Sequence, residues 1–337
     1  MLKKIMIILT LIIVTTGTCY ANEENNSVKN VLKNKPMFNV DVAITGCLYD
    51  VRINDVSILT DDEGGPMDTS VPVNEWMQSG DNQLTVYLNP LPNTQKNDTS
   101  QLCKVAVSLS VHSYGSEDKD TIATLTYQSP ANALSADLAN TEKSSQAGEL
   151  DSNNFFNPDK RGDVTVTPVL INKTNNEKNK HEIVLSRTVS IKLPFPKWAW
   201  LSGDKIENTE ENKVSLIKQY EAIYLAIRDK NFAALRTMTK LRQKEMMEAY
   251  YTSQQDSDTV FNIEKDVNNP VEQLVEFLPT PKVYKYLTIK IDGHAKLAQM
   301  VAWDGGSVIG FNYNDGSGSQ SYDFTFGKIN GKWVIVR

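Results

Sequence analysis

The sequence predicts an all-β sandwich followed by an α+β domain, in which helices pack on a curled antiparallel β-meander. Three observations predict it. From Met37 the chain alternates apolar and polar residues in short runs. After Thr209 apolar residues recur at helical spacing. Beyond residue 286, Asp-Gly and Asn-Gly pairs punctuate a second series of short runs. The expected boundaries are 37–196 for the sandwich, 197–210 for a junction and 211–337 for the second domain.

Ahead of the first strand stands "MLKKIMIILTLIIVTTGTCYAN", with Lys3 and Lys4, an apolar run from Ile5 to Val14, and Cys19 and Ala21 as small residues before a cleavage point. This order is that of a secretory leader over residues 1–21, removed after Ala21, and it places the protein in the periplasm or outside the cell. The rival is a lipoprotein anchored at Cys19. Thr16 and Thr18 stand where lipidation sites carry an aliphatic and a small residue, so cleavage at Ala21 is the expectation.

Without the leader, 33 basic face 41 acidic residues, a formal charge of −8. Nucleic acid is therefore not an expected partner, because phosphate binding needs a concentrated basic face. No second apolar run approaches the roughly 20 residues that span a bilayer, so no integral membrane segment is expected after cleavage. Cys47 and Cys103 are the remaining cysteines. In an oxidising compartment they read as one disulfide. Parity agrees: Cys47, Tyr49, Val51 and Ile53 share one strand face, as do Cys103, Val105, Val107, Leu109 and Val111. His112, His181 and His294 are scattered, so no metal site and no cofactor are expected.

The strands follow in order. Phe38, Val40, Val42 and Ile44 point one way, and Asn39, Asp41 and Thr45 the other. Then come "CLYDVRINDVSIL", "NQLTVYLNPL", "LCKVAVSLSVHSY", "TIATLTYQ", "DVTVTPVLI" and "EIVLSRTVSIKLPF". Short strands separated by Gly, Pro, Asn and Asp clusters predict an antiparallel sandwich. A polar insertion near 128–163 separates two of them. The pattern Val73-Asn74-Glu75-Trp76, then Gly80, Asn82, Leu84 and Val86, resembles the jelly-roll, galactose-binding-like sandwiches. In that resemblance Trp76 is an apolar plug and Gly80 to Asn82 a turn.

Pro194 and Pro196 end the last strand, because proline cannot continue a central strand. Trp198 and Trp200 alternate on the extended segment behind them. They are expected to pack between the domains; an exposed aromatic docking patch is the sharper alternative.

Thr209 then caps a helix that opens with Glu210 and Glu211 and carries Val214, Ile217, Tyr220, Tyr224 and Ile227 at helical spacing. Asn231 caps the next, with Phe232, Leu235, Met238, Leu241 and Met246 as its apolar stripe. A third is expected from Asn269, with Pro270 at its first position and Glu272 placed for a capping box. The meander follows, turning at Asp292-Gly293, Asp304-Gly305-Gly306, "NDGSGS" and Asn330-Gly331. Helices before a curled sheet and the final "GKWVI" run resemble the nuclear transport factor 2-like fold, a cone with a pocket between sheet and helices.

Catalytic signatures are missing: no nucleophile elbow, phosphate loop, dinucleotide fingerprint or zinc motif occurs. "DDEGG" at Asp61 to Gly65 lacks regular calcium-ligand spacing and reads as solvated acids. Asn172-Lys173-Thr174 fits a glycosylation sequon. In the cone, Tyr322, Phe324 and Phe326 should face the core, with Asp323 and Thr325 facing out. Enzymes of the cone family place an Asp–His or Asp–Tyr pair deep inside. His294 and Asp304 are the candidates here, but as a strand end and a hairpin tip neither falls on the inner face. The expectation is therefore a non-catalytic exported protein that binds a basic protein partner such as a toxin, resembling periplasmic immunity proteins. Trp198, Trp200, His294 and Asp304 are its candidate binding residues. A glycan-binding module and a small-molecule enzyme using the cone are the alternatives.

Overall fold

A computed structural model describes residues 35–90, 102–128, 148, 162–174, 182–253, 258–277 and 282–337. The expected leader with Ala21, the lipidation alternative at Cys19 and most of the polar segment between Gln128 and Asp163 lie outside the described residues.

The N-terminal part is antiparallel β-structure. Its strands are β1 (Pro36–Thr45), β2 (Cys47–Ile53), β3 (Val56–Asp61), β4 (Met67–Pro72), β5 (Gly80–Pro90), β6 (Lys104–Ser113), β7 (Asp120–Gln128), β8 (Val164–Val166), β9 (Leu170–Thr174) and β10 (Glu182–Ile191). One sheet runs β4-β1-β6-β7. The other runs β3-β2-β5-β10-β8, with β9 also on β10. One apolar cluster takes Phe38, Val40, Val107 and Leu109 from the first sheet and Val51, Ile53, Leu84 and Val86 from the second. The alternation visible in the sequence is the alternation that fills this core. Cys47 opens β2 and Cys103 stands just before β6, so their bond ties the two sheets (S–S 1.98 Å, Cα–Cα 5.1 Å).

Three helices follow among the described residues: α1 (Glu210–Arg228), α2 (Phe232–Tyr250) and α3 (Thr259–Val267). Thr209 Oγ1 accepts from Asn212 N–H at 3.2 Å and Asn231 Oδ1 from Ala234 N–H at 3.1 Å, so both caps act where the sequence placed them. On α1 the expected face is buried: Ile217, Tyr220, Tyr224 and Ile227 all enter the second core. On α2 the outcome is mixed. Leu235 is buried in the second core as expected, but Met238, Leu241 and Met246 are only half-buried, and Thr239, Glu245 and Ala249 are deeply buried instead. The helix is turned to bring a carboxylate to an internal cation, described below.

The third helix is corrected. It is α3, one segment earlier than expected, and Glu272–Leu274 forms a strand, β11. Asn269 and Glu272 do meet, Nδ2 donating to Oε1 at 2.6 Å, but they close a single turn around Pro270. A helix started there would reach Pro279 within nine residues, too short to sustain itself. The backbone of 272–274 instead pairs with β14 (Gly310–Tyr313), Glu272 opposite Tyr313 and Leu274 opposite Phe311.

The single meander is also corrected. The remaining strands are β12 (Leu287–Asp292), β13 (Leu297–Ala302), β15 (Ser319–Ser321), β16 (Phe326–Ile329) and β17 (Lys332–Ile335). They sort into a sheet β12-β13-β16-β17 and a separate sheet β11-β14-β15. A short two-stranded hairpin is marginal alone, and β11 supplies the third strand that β14 and β15 need. Phe324 and Phe326 point into the core as expected. Thr325, expected outside, is buried on the opposite face. Tyr220 fills the space between α1 and the sheet: its ring lies 5.3 Å from that of Phe326, and its hydroxyl donates to the Phe324 carbonyl and accepts from Met300 N–H.

Candidate functional site

The junction residues are internal. Trp198 and Trp200 are 2% and 1% exposed and share a small cluster with Val56, Ala249, Leu297 and Val336, drawn from both ends of the chain. Trp198 Nε1 donates to the Met77 carbonyl at 2.6 Å, and the Trp200 ring meets that of Trp76 edge-on at 6.1 Å. No partner can reach rings so covered, and the docking-patch alternative for Trp198 and Trp200 is dropped.

Around them lies a buried polar network. The Arg337 guanidinium sits over Trp76 and Trp198, 5.1 and 5.2 Å from their centroids. It pairs with Glu245, whose other oxygen accepts from Ala199 N–H at 2.6 Å. Tyr250 donates to the Glu75 carboxylate. Burial pushes Glu75 up from the usual carboxylate range, although Tyr250 and Arg337 pull the other way. Asn74 completes the seam: its Nδ2 donates to the carbonyls of Pro36 and Ala249, and its Oδ1 accepts from Phe38 N–H. Asn82 is bonded within its own loop, through Gln78 and Gly80, and its Oδ1 accepts from Asn54 in the turn between β2 and β3. The "VNEW…GDN" stretch therefore holds the loop and seats α2 upon it.

A second contact joins two hairpin tips. Asn54 and Asp55 turn with positive φ between β2 and β3, and Gly293, His294 and Ala295 do so between β12 and β13. Gly293 N–H donates to the Asp55 carbonyl at 2.9 Å, and His294 N–H to Asp55 Oδ2 at 2.8 Å. Arg52 lies behind, 2.7 Å from Asp50, 3.2 Å from Asp55 and 3.4 Å from Asp292. Beside them a cleft of about 40 Å³ opens between β3 and the outer face of β12–β13, with Trp76, Ser57, Asp292, Gln299 and Thr325 among its walls.

The catalytic alternative finds no support in the placement of its candidates. The His294 side chain is 60% exposed at one end of β13, and Asp304 is exposed beyond the other end, its Oδ1 bonded to Gly306 N–H. The six residues of β13 lie between them, about 20 Å at 3.4 Å per residue. Neither enters the core, where Tyr220 stands. The acidic stretch at Asp61 closes on itself, its carboxylate accepting from Glu63 and Gly64 N–H. Among the described residues no group of three or more His, Cys, Asp or Glu side chains could hold a metal, and no helix is long and apolar enough to cross a membrane.

Sequence reasoning missed Trp303. It is 78% exposed, and Tyr286, across the same end of the β12–β13 ladder, is 51% exposed. A signal was present. Ala298 and Met300 face the core, so the alternate positions Gln299 and Val301 face outward, and Trp303 continues that spacing into the turn past β13. Compared with family models, with curated proteins and with solved structures, the chain matches none.

Proposed function

We propose that this chain is an exported, non-catalytic protein-binding protein of the periplasmic immunity type, and that it grips a basic protein partner. The N-terminal leader ending at Ala21 supports export, and the −8 formal charge of the remainder supports a basic partner, which such a charge steers into encounter. In the same reading the two N-terminal sheets form a sandwich of the galactose-binding-like kind, since one core takes side chains from both. The helices and C-terminal sheets then form a nuclear transport factor 2-like unit.

The observation that carries the reading is Trp303. Every other tryptophan is wholly or partly buried, yet this one stands in water beside Asp304. Leaving an indole uncovered forgoes on the order of 3–5 kcal/mol of burial, and tryptophan is among the residues that dominate binding interfaces. An aromatic anchor beside a carboxylate suits a basic, partly apolar surface.

The test is a pull-down from periplasmic extract, and with the product of the adjacent gene, using the wild type and Trp303→Ala. The expected result is one stoichiometric protein whose on-rate falls with ionic strength and whose affinity falls at least tenfold in the variant. Recovery of an oligosaccharide without protein would replace this reading by glycan binding. Turnover of a small molecule, lost on changing His294 or Asp304, would replace it by catalysis.

A further inference from the structure

We infer that the cleft between β3 and the outer face of β12–β13 is a subsite for one cationic side chain, an arginine or lysine, of the basic protein partner. The inference rests on the protein-binding reading and specifies a second point of contact for it.

Charge and hydrogen bonding argue for a cation. Asp292 is 8% exposed and lines the cleft, and its Oδ1, buried just behind the cleft surface, has no hydrogen bond. The nearest cation, Arg52 Nη1, lies 3.4 Å from that oxygen without bonding geometry, and it is shared with Asp50 and Asp55. Lys290 Nζ lies 3.6 Å from the other oxygen. The carboxylates of Asp50, Asp55 and Asp292 thus face two cations, Arg52 and Lys290, and His294 is exposed beside Asp55. Burial pushes the Asp292 carboxyl up despite both cations, as expected of a carboxylate short of partners.

Lys290 also lines the cleft, and its ammonium is held by Asp292; the other polar and aromatic walls suit the same guest. Gln299 donates to Thr325 Oγ1 at 2.7 Å, which leaves its amide oxygen to accept a bond. Trp76 adds an aromatic surface, which attracts cations. A volume of about 40 Å³ holds an ammonium or guanidinium tip, or about three to four waters at 10–15 Å³ each. Small-molecule sites run to roughly 300 Å³ and more, so a whole metabolite does not fit.

Position completes the argument. Leu297, Gln299 and Val301 step along one face of β13, and Trp303 stands in the turn just past its end. Leu297 borders the cleft and Trp303 stands six positions on, about 20 Å away. A partner that covers the Trp303 indole therefore reaches the cleft along a continuous surface, well within a standard interface.

The experiment uses the whole deuterated protein and two probes, Nα-acetyl-arginine amide and its neutral counterpart Nα-acetyl-norleucine amide, followed by nitrogen-15 NMR. The arginine probe should give saturable shifts at the Gln299 side-chain amide and the Trp76 indole N–H. Its affinity should fall at least tenfold in Asp292→Asn and rise several-fold in Gln299→Glu. No saturable shift, or equal shifts with the norleucine probe, would mean that the cleft holds only water and would overturn the inference. Should Asp292→Asn fail to fold, Gln299→Glu decides alone, at a half-exposed position, and no gain in affinity overturns the inference. Loss of partner binding in Trp303→Ala with no probe binding sinks the cleft and leaves the protein-binding reading standing. Probe binding with no effect of Trp303→Ala on partner capture supports the cleft and sinks the anchor.

Discussion

The Arg337 guanidinium donates to the Glu75 carbonyl at 2.7 Å, across 262 positions of sequence. The same group pairs with Glu245 on α2 and lies over two tryptophans, so one internal cation touches the loop after β4, the junction and the second helix. Removing one partner of such a buried pair leaves the other charge uncompensated. Glu245→Ala should therefore cost about 3–5 kcal/mol in urea denaturation, since it also strips the Ala199 N–H of its acceptor. A loss under about 1 kcal/mol would show that water replaces the carboxylate.

The seam predicts cooperativity. The boundaries expected from the sequence, a junction at 197–210 before a second domain, imply that a fragment starting near Lys205 folds by itself, but Leu297, Val336 and Ala249 are buried against Trp198, Trp200 and Val56. Cutting there bares apolar surface and takes the Glu75 carbonyl from Arg337. Calorimetry of the whole protein should show one transition, and fragment 205–337 should be less stable and bind a hydrophobic dye. Two resolved transitions, or a fragment as stable as the parent, would contradict this.

The cross-sheet disulfide closes a loop with a sequence separation of 56. In the chain-entropy model that is worth about 4 kcal/mol. Changing Cys47 and Cys103 together to Ala should lower stability by about that amount, and peptide mapping without reductant should recover the linked pair.

Glu75 gives a pH signature. Burial raises its folded pKa above that of the unfolded chain, so its protonated form is favoured in the folded state. The stability linked to this group is fully present below the unfolded value and is lost as pH rises through the folded one. Glu75→Gln keeps an acceptor for Tyr250 but cannot ionise. The stability of the wild type relative to the variant should therefore fall as pH rises from about 4 toward neutrality. A difference that is flat, or that grows with pH, would show that Arg337 outweighs desolvation.

Two tryptophans should behave oppositely. Trp303→Ala removes an exposed ring and should shift stability by no more than about 0.5 kcal/mol. Trp200→Ala empties the seam and should cost about 3–5 kcal/mol. Parallel thermal melts separate the two; equal losses would place Trp303 in a structural role.

Legibility differed by element. The caps at Thr209 and Asn231 were readable because a hydroxyl or amide oxygen meets an N–H only three residues ahead. The same local chemistry misled at Asn269 and Glu272, where the bond formed but closed a turn. Of the candidate binding residues, Trp198 and Trp200 proved internal, while His294 and Asp304 remained at the surface, apart. Trp303 was overlooked although strand alternation marks its face, since outward orientation says nothing of whether another part of the chain covers it.

The sequence by itself determined what depends on neighbours a few positions away: which strand faces are apolar, where α1 and α2 begin, where the hairpins turn, and that Cys47 and Cys103 point into one core. Tertiary structure decided the rest. It recruited residues 272–274 as a strand beside β14, turned Glu245 inward toward Arg337, buried Thr325 beside Gln299, and set Arg52 near Asp292 without a hydrogen bond to its Oδ1. In each case the deciding group lies between 26 and 240 positions away for these pairs. Hydrogen-bond partners and counter-charges at such separations are chosen by packing, and residue periodicity carries no record of them.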